Sequence, residues 1–301
     1  MFSTKLRAAR LSVAAIVGLV ALKVVVGWLS GSISMLAQAT DSLLDLFAVL
    51  VTLSAVIIAE RPADEKHPYG HGKVEEAGGV VQGALIFAAG GLIIYSSVQR
   101  ILGDAEVEMT EAGMGVMLVS IIVSILLAGH LRRIAANTGS VALEANASNI
   151  AADVYSALAV LLGLLVVRLT GANDIDSAIA IAVSMYILTV GYRVTTRSLA
   201  GLLDASILTQ QETAIKACLE AHGDQVAGYH RLRTRRSGSE RHIDFHLVMD
   251  AEISLEEAHA ICDRIEAELE QRLPRSDIII HCEPCDGECG RCLAICARRR
   301  R

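Results

Sequence analysis

Aromatic side chains make up only 4% of this 301-residue chain and charged ones only 20%, against 53% hydrophobic. Without a basic stripe interleaved with aromatic rings, the chain lacks the footprint of a nucleic-acid binder. So little charge is rare in a water-soluble domain and fits a polytopic membrane protein with a smaller aqueous part. No His-Glu-x-x-His occurs, which argues against a membrane metalloprotease, and the chain is not expected to be an enzyme. Five of the seven cysteines crowd between Cys282 and Cys296, unlike the spaced framework of a secreted disulfide scaffold. A cleaved leader is not expected. Lys5, Arg7 and Arg10 precede an apolar stretch, but Leu11 to Leu29 is too long for a signal core. The small-x-small triplet Ala37-Gln38-Ala39 also falls inside the next apolar run.

What is present is a set of six helix-length apolar runs, at 11–29, 33–59, 77–99, 112–131, 141–169 and 175–194. Each reaches the roughly 20 residues needed to cross about 30 Å of hydrocarbon. Lys and Arg set their orientation. Lys5, Arg7 and Arg10 precede the first run. Arg61, Lys66 and Lys73 follow the second, Arg132 and Arg133 the fourth, and Arg193 and Arg197 the last. The other connections are uncharged or dominated by Asp and Glu, so both termini are expected on the cytoplasmic side of the cell membrane. The third run carries Gly78, Gly79, Gly83, Gly90 and Gly91, small residues that let helices approach closely in lipid. Lys23, inside the first run, is expected to snorkel or find a carboxylate, a structural role.

From about Ile207 the character changes to a soluble domain. Thr209-x-x-Glu212 and Ser254-x-x-Glu257 are capping-box patterns, each opening a helix. Val226 to Arg235, His242 to Met249 and Ile278 to Glu283 read as strands, with Ile243, Phe245, Leu247 and Met249 on one face. The order is αββαβ. The expected division is a transmembrane domain at 1–206, a metal-binding domain at 207–284 and a Cys/Arg-rich tail at 285–301. Such a small domain has a limited core and often needs a partner or a metal.

Two polar pairs interrupt the apolar runs. Asp41 and Asp45 lie in the second, Asn149 and Asp153 in the fifth, each pair at i, i+4 on one helix face. A carboxylate at mid-membrane costs roughly 2.5–3.5 kcal/mol on insertion scales. Three of them on two helices call for a cation to share. Counted at about 1.5 Å per residue from opposite boundaries, the two pairs reach overlapping depths. Antiparallel packing then sets Asp41 near Asp153 and Asp45 near Asn149. Four oxygen donors suit Mn²⁺, Fe²⁺ or Mg²⁺ better than thiophilic ions, whereas a histidine would have favoured Zn²⁺. Polar interhelix bonds or a pure proton path are the plainer reading of the same residues.

Three stretches carry a family resemblance: Gly31-Ser-Ile-Ser34 followed by Asp41-x-x-x-Asp45; Arg61-Pro-Ala-Asp-Glu-Lys-His-Pro-Tyr-Gly-His-Gly-Lys73; and Asp277-Ile-Ile-Ile-His-Cys-Glu-Pro284. Over nearly its whole length the chain resembles the cation diffusion facilitator family of divalent metal exporters. The resemblance implies a homodimer, six transmembrane helices per subunit, a metallochaperone-like α+β cytoplasmic domain, and exchange of cytoplasmic M²⁺ for external protons. It places the transport site on Asp41, Asp45, Asn149 and Asp153, and Asn149 in place of the usual His resembles the manganese branch. It implies a loop metal site at Asp64, His67 and His71. It also implies a binuclear site at His230, His246, His259, His281 and Glu283, where Zn²⁺ or a similar ion could bind and to which both subunits could contribute. Lys73 and Asp204 match a charged interlock at the dimer interface. His130, His222 and His242 match no site.

The tail is not general in that family. Cys282, Cys285, Cys289, Cys292 and Cys296 form a candidate metal or iron–sulfur set, although not the usual two-CxxC ribbon. The closing arginines form a solvated end that could touch anionic lipid. Cys218 and Cys262 read as core residues. The leading expectation is proton-coupled efflux of Mn²⁺, with Fe²⁺ next. The alternatives are a Zn²⁺, Co²⁺ or Cd²⁺ exporter, or a membrane metal-sensing or redox protein centred on the cysteine tail.

Overall fold

All four prolines, Pro62, Pro68, Pro274 and Pro284, fall outside the helices, so no proline breaks a helix along the apolar runs. In the computed structural model these runs form α1 (Phe2–Ser30), α2 (Ile33–Ala59), α3 (Val74–Leu102), α4 (Glu111–Thr138), α5 (Val141–Thr170) and α6 (Asn173–Leu202). The structure describes residues 2–30, 33–102, 111–170 and 173–285, leaving aside the side chains of 2, 3, 30, 33–41, 100–102, 111–113, 160, 162–170 and 173–177. Among the described residues, α1, α2, α3, α4 and α6 each contain a stretch long and apolar enough to cross a membrane. The remaining helix, α5, is 30 residues long but carries Glu144, Asn146, Asn149 and Asp153 in its first half.

Residues up to Ala200 form one unit. Its outer surface is apolar: Trp28, Leu126 and Met185 are 78%, 69% and 58% exposed, as lipid-facing side chains would be. Inside, small and polar residues set the packing. Gly83 of α3 lies so close to α6 that a Cβ there would meet Thr195 Oγ1 at 2.1 Å and its Cα at 3.2 Å. This is the close approach that the glycines of the third run imply. The Gln82 amide donates to the Ala48 carbonyl at 2.6 Å and to the Thr52 hydroxyl at 2.9 Å, tying α3 to α2.

Lys5, expected as a tail charge, is fully buried. Its Nζ lies 2.6 Å from Glu60 and 3.0 Å from Glu75. The second oxygen of Glu75 accepts from the Ser140 hydroxyl at 2.6 Å, beside the start of α5. A carboxylate there satisfies both an ammonium and the positive end of a helix.

The second unit begins at Gly201. It holds α7 (Thr209–Ala221), β1 (Gly228–Ser237), β2 (Glu240–Met249), α8 (Leu255–Arg272) and β3 (Ser276–Pro284). The central strand is β2. It pairs antiparallel with β1 through a turn at Gly238 (φ 60) and parallel with β3, which α8 makes reachable. Ile243, Phe245, Leu247 and Met249 face one way and bury against Ile215 and Leu219 of α7 and Ile261, Ile265 and Leu269 of α8. Strand alternation sends His246 to the other face. A bulge between His230 and Arg233, with Arg231 at φ 52, bends β1 beside that face.

The two helix starts differ. Ser254 forms the expected capping box with Glu257. At α7 the cap is Leu208, with no side-chain bond. Thr209 is already inside the helix, and Glu212 pairs with Lys216 at 2.7 Å instead of reaching back.

Candidate metal centres

Within the first unit α2 contacts α5. Across that contact the carboxyl groups of Asp45 and Asp153 lie within hydrogen-bond reach of each other. Asn149, one turn earlier on α5, is buried at 6% exposure. Two acids at that range need a proton or a metal cation between them. Lys23 of α1 donates to Ser42 Oγ of α2 at 2.6 Å, a hydrogen bond between two neighbouring helices. The backbone of Asp41 lies on α2 one turn before Asp45, but its side chain is outside the described residues. The contact joins one member of each polar pair across α2 and α5.

The loop after α2 brings Asp64, His67 and His71 together, with one donor atom from each inside a 4.8 Å cluster. Asp64 Oδ1 is 3.2 Å from His67 Nδ1, and Oδ2 is 3.5 Å from His71 Nε2. The two rings are 4.5 Å apart. The backbone N–H groups of His67 and Lys66 also donate to Asp64, at 2.7 and 2.9 Å. The His67 N–H is the main reason this carboxyl is held below its ordinary range. A charged carboxylate facing two imidazoles fits a divalent ion.

The sheet builds the third cluster by register. His230 is opposite His246 on β1 and β2, and His246 is opposite His281 on β3. Glu283, two residues beyond His281, receives them: Oε1 is 2.7 Å from His246 Nδ1 and 3.6 Å from His281 Nε2, and Oε2 is 3.1 Å from His230 Nε2. The hydrogen bond from His246 chiefly holds Glu283 below the usual carboxylate range. His259 does not join them within one chain. It sits on α8, which covers the opposite face of the sheet, and its side chain is 77% exposed beside Asp263.

The five-cysteine set is not one cluster. Cys282 faces α8, its Sγ 3.0 Å from that of Cys262, while Cys285 is buried beside Val248 and Ala227. Strand alternation puts Cys282 and Cys285 on opposite faces, so they cannot ligate one ion together. Cys289, Cys292 and Cys296 lie outside the described residues. Lys73 belongs to the first unit and Asp204 to the second, where Asp204 pairs with Arg235 at 3.3 Å.

Two groupings were not read from the sequence. His242 Nδ1 lies 3.0 Å from Asp277, its neighbour in register on β3. Cys218, His222 and Glu268 converge between α7 and α8. The i, i+4 spacing of Cys218 and His222 was the available signal, but their partner lies on another helix. Burial pushes the Cys218 thiol up to about 11, with the charge of Glu268 adding to it.

A bundle of long apolar helices with paired acids inside it, joined to a small domain with a histidine-lined sheet, defines a membrane carrier of divalent cations. The chain belongs to the cation diffusion facilitator family. The cation efflux transmembrane domain matches residues 9–203, and the cytoplasmic domain of cation efflux proteins matches residues 208–285. It is thus a multi-pass divalent cation efflux transporter. It is similar to the cation-efflux pump FieF of Pectobacterium atrosepticum, 34% identical over 87% of each chain. It is also similar to FieF of Salmonella newport, 32% identical over 93% of this chain and 92% of the relative. An uncharacterized transporter of Synechocystis is 29% identical over 91% of this chain and 88% of its own. Among solved structures, CzrB in its zinc form is 34% identical, covering 28% of this chain and 93% of its own, with a TM-score of 0.26.

Proposed function

We propose that the chain exports Mn²⁺, and secondarily Fe²⁺, from the cytoplasm across the plasma membrane in exchange for protons. The observation that carries this reading is the meeting of Asp45 and Asp153 across α2 and α5, with Asn149 a turn away. The described donors there are all oxygens, which favour harder ions over Zn²⁺. Cytoplasmic M²⁺ enters an inward-open cavity and displaces protons from Asp41, Asp45 and Asp153. The loaded protein then opens outward, and external protons release the ion. Both termini face the cytoplasm, as the placement of Lys and Arg argues.

The protein works as a homodimer, a reading supported by the match of residues 208–285 to the cytoplasmic dimerisation domain of cation efflux proteins. In it, residues 1–206 carry transport, residues 207–284 bind regulatory metal and residues 285–301 form a tail. Lys73 and Asp204 interlock at the interface. Asp64, His67 and His71 capture cytoplasmic metal. His230, His246, His281 and Glu283, completed by His259 from a second subunit, bind regulatory ions and bias the dimer toward transport.

The test is ion uptake into inverted vesicles, comparing the native chain with Asn149→His. Manganese flux in the native chain and a gain of zinc flux in the variant are expected. Strong zinc flux in the native chain with no manganese flux in either would overturn the ion assignment. Uptake that leaves the lumenal pH unchanged would overturn proton exchange.

A further inference from the structure

Three different donors meet where the C-terminal end of α7 lies beside the last turns of α8. One ligand atom each from Cys218, His222 and Glu268 falls inside a 4.8 Å cluster. Cys218 and His222 share one face of α7 through their i, i+4 spacing, and Glu268 comes from the neighbouring helix.

The histidine is already oriented. Its Nδ1 lies 3.0 Å from the Cys218 carbonyl oxygen. A carbonyl can only accept, so Nδ1 carries a proton, and Nε2 is the ring nitrogen left to take a metal ion. That nitrogen faces Glu268 Oε2 at 3.6 Å. The other carboxylate oxygen, Oε1, is held by Arg272, which fixes the direction of Oε2. A backbone carbonyl that sets the tautomer of a ligating imidazole is a recurrent outer-sphere device of metal sites. Cys218 is fully buried, whereas the side chains of His222 and Glu268 are 14% and 33% exposed. The cluster therefore opens toward solvent on the Glu268 side, where water can take a fourth position.

We propose that Cys218, His222 and Glu268 bind a borderline-soft divalent ion, Zn²⁺ or Cd²⁺, which fastens α7 to α8. A thiolate, an imidazole and a carboxylate are the donor mixture these ions favour, in contrast to the oxygen donors within the membrane. Binding replaces the sulfur–hydrogen bond of Cys218 by a metal–sulfur bond, and the proton leaves to water. The site lies in the helical layer, on the other side of the sheet from His230, His246 and Glu283, so the two fill independently.

The test uses the full-length chain in detergent with Cys262, Cys282, Cys285, Cys289, Cys292 and Cys296 changed to Ser, leaving Cys218 as the sole thiol. Titration with Cd²⁺ should raise the ultraviolet thiolate-to-cadmium charge-transfer band to saturation at one ion per chain. Adding Cys218→Ala should abolish the band, and His222→Ala or Glu268→Gln should weaken binding by about tenfold or more. No band in the single-thiol chain, or an affinity unmoved by both ligand variants, overturns the proposal. If the single-thiol chain does not fold, tightly bound Zn²⁺ is counted by chelator competition in the native chain and in His222→Ala. A drop of one ion per chain supports the site, and an unchanged count overturns it.

Discussion

The two units gather ligand atoms by opposite means. In the first, Asp45 and Asp153 come from different helices and meet inside an apolar bundle. In the second, strand register alone aligns His230, His246 and His281 beside Glu283, on a face open to water. Water screens the sheet cluster and satisfies its unused donors, so that cluster can persist without metal. Lipid offers no such relief, and the acids of the bundle must always hold a proton or a cation. The sheet cluster can thus stand without an ion, whereas the acids of the bundle always need their charge neutralised.

The sharpest way to break that comparison is to remove one candidate ligand from the centre of each cluster. Asp153→Ala should lower metal flux in proteoliposomes by at least about tenfold to a hundredfold, the loss already seen when an outer-sphere partner of a metal site is removed. His246→Ala should remove metal bound at the sheet yet lower flux only several-fold. If His246→Ala stops flux completely while Asp153→Ala retains it, the roles of the two units are reversed.

Stability separates the units next. Lys5 is fully buried between Glu60 and Glu75. Truncating one partner of a buried pair leaves the other charge uncompensated and costs about 3–5 kcal/mol. Lys5→Met should therefore lower the thermal midpoint of the detergent-solubilised protein sharply, and Lys5→Met combined with Glu75→Gln should recover part of the loss. An unchanged midpoint in Lys5→Met would mean that the buried network does not hold α1 to the bundle.

A weaker and pH-dependent effect is expected at the sheet. The Glu283 carboxyl is held below its ordinary range, chiefly by the hydrogen bond from His246. A depressed carboxylate stabilises the fold fully above its unfolded value, and that contribution disappears as pH falls through the lower folded value. In metal-free protein, Glu283→Gln should be less stable than the native chain at neutral pH, and the gap should close on acidification. A gap that widens toward low pH would contradict the assigned ionisation.

These contrasts follow what the sequence made legible. Apolar runs and i, i+4 pairs are local signals, so six helices and the four polar positions on α2 and α5 could be read directly. Strand alternation likewise placed Phe245 and Leu247 in the core. Lys5 could not be read, because its partners Glu60 and Glu75 lie far along the chain and an N-terminal lysine looks like any tail charge. Glu268 was hidden for the same reason: nothing local links it to Cys218 and His222. Cys282 and Cys285 were grouped by proximity in sequence, which a strand undoes by sending neighbours of odd separation to opposite faces.

The smallest predicted difference isolates what a motif can decide by itself. Thr209-x-x-Glu212 and Ser254-x-x-Glu257 match the same pattern, yet only Ser254 accepts from the N3 backbone and receives the reciprocal glutamate contact. The helix register explains this. With Leu208 at φ −59 and ψ 141 in the cap position, Thr209 is already the first helical residue, and its hydroxyl cannot reach the N–H groups it would have to cap. Ser254→Ala should cost about 1 kcal/mol, the usual loss for an N-cap. Thr209→Ala should change stability by no more than about 0.5 kcal/mol, as at an ordinary surface position. Chemical denaturation of the two variants under identical conditions checks the difference, and equal losses would mean that Thr209 caps α7 in solution after all.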